Sequence, residues 1–160
     1  EISLKSVEGN GSVFSFWIAV GVQPETSLLF PTGDQPELTQ KKVLIVDDSP
    51  VQLYHLRKLV EDSGHSALTV ESGEQALDVA ADERPEVILM DIVMPGMSGY
   101  TATRRLGKAR NTQHIPVIFV TSKDSEADRA WGLRQGAREY VTKPVNPKIL
   151  LTAISEAVAA

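Results

Sequence analysis

No cysteine occurs among the 160 residues of this chain. That absence removes the disulfide bond, the thiol nucleophile and the zinc thiolate site together, and it suits a reducing compartment such as the cytoplasm. Basic residues are in deficit as well: 16 Lys and Arg stand against 21 Asp and Glu, for a formal charge of −5. Non-specific affinity for nucleic acid depends on clustered cations that neutralise phosphates, so no nucleic-acid surface is expected. The longest apolar runs are strand-sized, far below the ~20 residues a membrane helix needs, and no membrane contact by this piece is expected. The chain opens at Glu1 without a methionine or a charged-then-apolar leader, and it reads as part of a longer polypeptide. A Walker-type G-x-x-x-x-G-K-S/T is missing, and Gly96-Met97-Ser98-Gly99 is one residue short of a G-x-S-x-G nucleophile elbow. His55, His65 and His114 share no metal-ligand spacing and read as solvent-facing or loop residues.

What is present is a hydrophobic fraction of 42%, enough for one domain of about 120 residues with an appendage. Three stretches differ in character. Residues 1–20 place two apolar runs around Gly9-Asn10-Gly11, a strong hairpin signal. Residues 21–40 carry Pro24, Pro31, Gly33 and Pro36 with little apolar periodicity, as a semi-extended linker does. From residue 41 to 160 short apolar runs alternate with helical patterns. Strands are expected at Val43–Val46, Ala67–Val70, Val87–Met90, Val117–Val120 and Glu139–Val141. Helices are expected at Pro50–Ser63, Gly73–Asp82, Gly99–Lys108, Ser125–Gln135 and Pro147–Val158. Leu53, Leu56 and Val60 share one helical face, and Ile149, Ala153, Ile154, Ala157 and Val158 share another. Five such βα units predict an α/β, flavodoxin-like, doubly wound parallel sheet of strand order 2-1-3-4-5.

In such a sheet the C-terminal ends of the strands share one crevice where ligands bind. Asp47 and Asp48, Asp91, Thr121 and Lys143 each sit at the end of an apolar run. Three carboxylates in contact would repel and raise one another's pKa, which calls for a divalent cation, most naturally Mg2+ with its oxygen ligands. With a lysine and a threonine added, the set suits a phosphoryl group. Taken singly, Asp91 could instead cap a loop or helix, Asp48 or Ser49 could cap the helix that follows them, and Thr121 could be an ordinary buried strand residue.

The paired acids, the D-x-x-M-P-x-x-x-G run from Asp91 to Gly99, the Thr121-Ser122 pair and Lys143-Pro144 after an aromatic follow one another as in a known family. The segment from about Lys41 onward resembles a response-regulator receiver domain of two-component signalling. Residues 128–145 resemble the stand-alone regulators of twitching motility in particular.

The resemblance implies that Asp91 is the phosphoacceptor and that Thr121 and Lys143 contact the phosphoryl oxygens. It implies that Mg2+ is ligated directly by Asp48, Asp91 and the backbone carbonyl of Val93, and by Asp47 mainly through water. It further implies a cis Lys143–Pro144 bond, a Thr121–Tyr140 switch, and a donor that is a histidine kinase or histidine phosphotransfer protein. A homodimer through the fourth helix, fifth strand and fifth helix would fit the same picture. Tyr140 has an ordinary half-exposed alternative, and Trp131 is either a core anchor or partner-facing.

Residues 1–20 resemble the closing strands of a histidine-kinase ATP-binding domain, which makes a hybrid kinase the parent expected, and such a parent could carry a membrane anchor elsewhere. A single-domain regulator of a motility pathway is the alternative. Haloacid-dehalogenase-like phosphatases share the Asp, Thr, Lys and Mg2+ toolkit. They need a second Asp two residues after the nucleophile, where this chain has Val93, and their acidic pair comes last instead of first.

Overall fold

The structure, a computed structural model, describes residues 39–159. The expected hairpin over residues 1–20 and nearly all of the linker lie outside the described residues. Five strands and five helices alternate: β1 (Lys42–Val46), α1 (Pro50–Asp62), β2 (Ser66–Val70), α2 (Gly73–Glu83), β3 (Val87–Met90), α3 (Gly99–Lys108), β4 (Val117–Thr121), α4 (Glu126–Arg134), β5 (Glu139–Thr142) and α5 (Pro147–Ala159). All four strand pairings are parallel, and the sheet order is β2-β1-β3-β4-β5. The expected fold is therefore the observed one.

The strands form where the sequence is continuously apolar because both faces are covered. Side chains alternate across a strand. Leu44 and Val46 of β1 thus join Ile88, Met90 and Phe119 in a core closed by α2 and α3, while Val43 and Ile45 join Leu89, Ile118 and Val120 under α1 and α5. Every residue of β3 and β4 is buried, whereas the edge strand β2 is only partly covered. Burying one such Val, Leu or Ile side chain stabilises the fold by about 1.5–3 kcal/mol.

Helix ends follow local chemistry. Ser49, Ser72, Ser98 and Ser125 cap the starts of α1, α2, α3 and α4, each accepting a bond from a backbone N–H in the first turn. Several boundaries move by a residue for this reason: Ser63, Ser125 and Gln135 are caps lying outside α1 and α4. Strands β4 and β5 each run one residue further than expected, to Thr121 and Thr142, which pair with each other.

One helical-face assignment is corrected. Ile149 is 58% exposed, and Leu150 takes the buried place beside Ala153, Ile154 and Ala157.

Candidate functional site

Register brings the strand ends level. Val46 pairs with Val70 on one side and Met90 on the other, so Asp47 and Asp91 follow adjacent strands at one height. The Asp91 N–H donates to the Val46 carbonyl at 2.8 Å, and the Lys143 N–H donates to the Thr121 carbonyl at 2.8 Å. These two backbone bonds tie three of the five chemical residues to the sheet, and the Asp47 N–H donates to the Val70 carbonyl at 3.2 Å.

Carboxylate oxygens from Asp47, Asp48 and Asp91 lie within 4.8 Å of one another, with Asp47 and Asp91 buried and Asp48 exposed. The Lys143 ammonium donates to Asp47 Oδ2 at 2.6 Å and stands 3.7 Å from Asp91 Oδ2. Its side chain is 15% exposed and the Asp47 carboxylate 2%. Asp47 Oδ1 accepts from the Ser49 N–H at 2.9 Å, and Asp91 Oδ1 accepts from the Ile92 N–H at 2.8 Å. Thr121 is fully buried. The Lys143–Pro144 peptide is cis. Helix capping falls to Ser49, which frees Asp48 of that role.

Burial pushes the Asp91 carboxyl above its ordinary range. The Lys143 ammonium opposes the shift, the Asp47 carboxylate adds to it, and hydrogen bonds from the Ile92 N–H and the Thr121 hydroxyl lower it. Three clustered acids facing one lysine leave negative charge that a hard, oxygen-seeking cation would neutralise, so the donor set fits Mg2+. Val93 is 56% exposed.

The wall beyond Asp91 depends on close backbone packing. A Cβ at Gly99 would come within 2.1 Å of the Asp91 carbonyl oxygen, so only glycine lets α3 begin against the end of β3. Its N–H donates to the Ile92 carbonyl at 3.0 Å.

Around Thr121 the structure gathers groups the sequence left scattered. Tyr140 is buried, not half-exposed, and its hydroxyl donates to the Lys123 carbonyl at 2.9 Å. Burial, with help from Tyr100 and Asp128, pushes that phenol up to about 12. Its ring meets Phe119 edge-on, and Phe119 meets Tyr100 in the same way. The Tyr100 hydroxyl is buried and has no hydrogen-bond partner among the described residues.

The Lys123 N–H donates to Thr121 Oγ1 at 3.3 Å, while its ammonium pairs with Asp128 of α4 at 3.4 Å. Asp128 is not among the residues the sequence singles out. The S-x-x-D spacing from Ser125 is a signal for its place at the helix start, and Lys123 is marked by its position two residues after Thr121. Trp131, at 52% exposure, is not a core anchor. Of the histidines, His55 packs edge-on against Tyr54, His114 is exposed, and the half-buried His65 accepts from the Lys41 N–H through Nδ1 at 3.3 Å.

A doubly wound sheet with an acidic, lysine-bearing crevice at its switch point belongs to a class that handles phosphoryl groups beside a bound cation. Residues 43–155 match the response regulator receiver domain family, and the chain belongs to it. It is 51% identical over 118 residues to the protein PilH of Pseudomonas aeruginosa, a match covering 74% of this chain and 98% of PilH. It is 35% identical over 113 residues to the response regulator PleD of Caulobacter vibrioides, covering 71% of this chain but only 25% of PleD.

Among solved structures, the receiver domain of a Pseudomonas aeruginosa sensor histidine kinase, with a magnesium ion coordinated in its active-site cleft, superposes with a TM-score of 0.71. That match has 28% identity and covers 76% of this chain and 99% of the other. Receiver domains accept phosphoryl groups from histidine kinases, and this chain is a receiver domain of two-component signalling. No described helix is long and apolar enough to cross a membrane.

Proposed function

We propose that Asp91 is the phosphoacceptor of this receiver and that Mg2+ is held by Asp48, Asp91 and the backbone carbonyl of Val93, with Asp47 acting through water. The observation that carries this reading is the clustering of the three carboxylates with Lys143 at the level ends of β1, β3 and β5. An Asp91 carboxylate oxygen attacks phosphorus in line. The O–P bond forms as the bond from phosphorus to the donor's imidazole nitrogen breaks, and the electron pair leaves with that nitrogen.

Positioning and charge neutralisation do the work in such a transfer, because its transition state is loose. The cation, when bound, neutralises developing charge on the phosphoryl oxygens. Lys143 contributes a second positive charge, and the Thr121 hydroxyl would donate to a phosphoryl oxygen. Movement of Thr121 towards the phosphoryl group would free Tyr140, coupling the site to the face made by α4, β5 and α5.

Incubation with acetyl phosphate and Mg2+ tests the assignment. Intact mass should rise by one phosphoryl group in the parent and not in Asp91→Asn. Equal labelling of that variant would reject Asp91.

Two parents are supported by different observations. The kinase-like pattern of residues 1–20 supports the C-terminal part of a hybrid histidine kinase, whereas the near-complete overlap with PilH supports a stand-alone regulator. The coding sequence upstream of Glu1 separates them, since kinase motifs there would establish the hybrid. A cytoplasmic placement, a histidine kinase or phosphotransfer protein as donor, and a homodimer through α4, β5 and α5 complete the proposal.

A further inference from the structure

Lys123 is held at three points. Its N–H bonds to the Thr121 hydroxyl, its carbonyl accepts from the Tyr140 hydroxyl, and its ammonium pairs with Asp128. The acid partner is itself fixed. Asp128 Oδ2 accepts from the Ser125 hydroxyl at 2.5 Å, while the Asp128 N–H donates back to Ser125 Oγ at 3.0 Å. The first turn of α4 therefore presents a carboxylate in a set position, and the lysine two residues past Thr121 turns to it in place of the carboxylates of the site.

A phosphoryl group on Asp91 would bring close to two negative charges to a pocket whose wall includes Thr121, the side chain that Lys123 bridges through its own N–H. The ammonium has a long flexible stem and a side chain 40% exposed, so it is free to change partners.

We infer that Asp128 is a positioning residue: it holds the Lys123 ammonium on α4, and a phosphoryl group on Asp91 competes for that same ammonium. The exchange has consequences at both ends. At the site, Lys123 drawn to the phosphoryl oxygens obstructs the water that hydrolyses the acyl phosphate. In that reaction the water oxygen bonds to phosphorus, the P–O bond to Asp91 breaks with its electron pair returning to the carboxylate, and the proton leaves with inorganic phosphate. At α4, the same movement leaves the carboxylate of the first turn without its cation. Linkage makes the equilibrium exchange reciprocal: a phosphoryl group that draws Lys123 away favours a partner binding at Asp128, and that partner favours Lys123 at the phosphoryl group.

α4 is suited to respond, since Gly132 is its one buried residue. A Cβ there would sit 3.0 Å from ring atoms of both Phe119 and Tyr140, so the helix rests on the aromatic pair through a single bare backbone position.

The ordinary role of Asp128 is to complete a helix cap, and the test must separate the two. Asparagine keeps an oxygen for the Ser125 hydroxyl but loses the charge. This inference rests on Asp91 as phosphoacceptor, so each protein is first labelled with acetyl phosphate and Mg2+, and decay is then followed by intact mass. D128N should hold its phosphoryl group about two- to fivefold longer than the parent, the rate equivalent of releasing a half-exposed ion pair. K123Q should lose it faster, D128N should add nothing in the K123Q background, and D128E should return the parent's lifetime.

A merely structural Asp128 would shift the decay equally in both backgrounds. That result, or a labelled D128N decaying at the parent rate, would overturn the coupling while leaving Asp91 in place. A parent that takes no label at Asp91 would overturn the phosphoacceptor reading and this inference with it.

Discussion

The contact between Gly99 and the end of β3 can be tested by asking what one methyl group does there. In Gly99→Ala the new carbon would lie 2.1 Å from the Asp91 carbonyl oxygen and 2.9 Å from both the Asp91 carbonyl carbon and the Ile92 Cα. These are backbone atoms that cannot rotate aside, so α3 must back away until the first distance reaches at least 3.0 Å. Overpacking of this kind costs about 1–3 kcal/mol.

The same helix supplies its own control, because a Cβ at Gly107 meets nothing within 4 Å. Gly107→Ala should therefore gain about 0.5–1 kcal/mol from reduced chain entropy and better helix propensity. One chemical change in one helix is thus expected to act with opposite signs at its two ends. Urea denaturation reads both. With a slope of about 1–3 kcal/mol per molar, Gly99→Ala should lower the midpoint by about 1 M, and Gly107→Ala should raise it by a few tenths.

The displaced atoms belong to Asp91, so the rise in Tm that Mg2+ gives the parent through preferential binding to the folded state should also shrink in Gly99→Ala. A Gly99→Ala protein with an unchanged or higher midpoint and a full Mg2+ response would refute the idea that close backbone approach builds this wall.

Two further outcomes are expected. Replacing Val93 with Asn and Lys123 with Glu gives an attacking water two polar partners where the parent offers an apolar side chain and a protonated amine; phosphoryl loss should accelerate by about tenfold, which needs only ~1.4 kcal/mol, and an unchanged lifetime by intact mass would reject that account. The raised carboxyl of Asp91 makes its ionised form a cost to the fold, so stability falls as pH climbs from the unfolded value near about 4 through the higher folded value. Asp91→Asn removes that loss: without divalent cations it should match the parent in acid and exceed it at neutral pH in parallel urea titrations, with Mg2+ narrowing the gap. A parent more stable than the variant at neutral pH without the cation would contradict the burial argument.

The sheet and most of the pocket were legible because they rest on local signals. A strand buried on both faces must be apolar throughout, so a polar residue ending such a run, as Asp47, Asp91 and Lys143 do, marks the crevice without further information. Ile149 escaped because a helix in a mixed apolar–polar run has two plausible faces, and α5 is apolar enough for a neighbour, Leu150, to turn inward instead. Tyr140 is named from the family pattern, but its burial depends on a ring stack with Phe119 and on the bareness of Gly132 across the helix, contacts that no spacing encodes. The Lys123–Asp128 pair joins a loop to a helix start over five residues and competes with many equally plausible surface pairs in a chain with 23% charged residues.

The bond between Lys143 and Asp47 joins residues 96 positions apart and closes across the whole domain. Contacts of such high sequence separation form late, because the entropy of closing the intervening chain must be overcome before they return anything. During synthesis the acids of β1 and β3 emerge well before the lysine after β5, and they cannot meet it until nearly the entire domain has left the ribosome. Competence to receive a signal is consequently the last property this domain acquires: a half-made or locally opened copy displays acids without the ammonium that organises them, and it stays silent towards a phosphodonor until the sheet is complete.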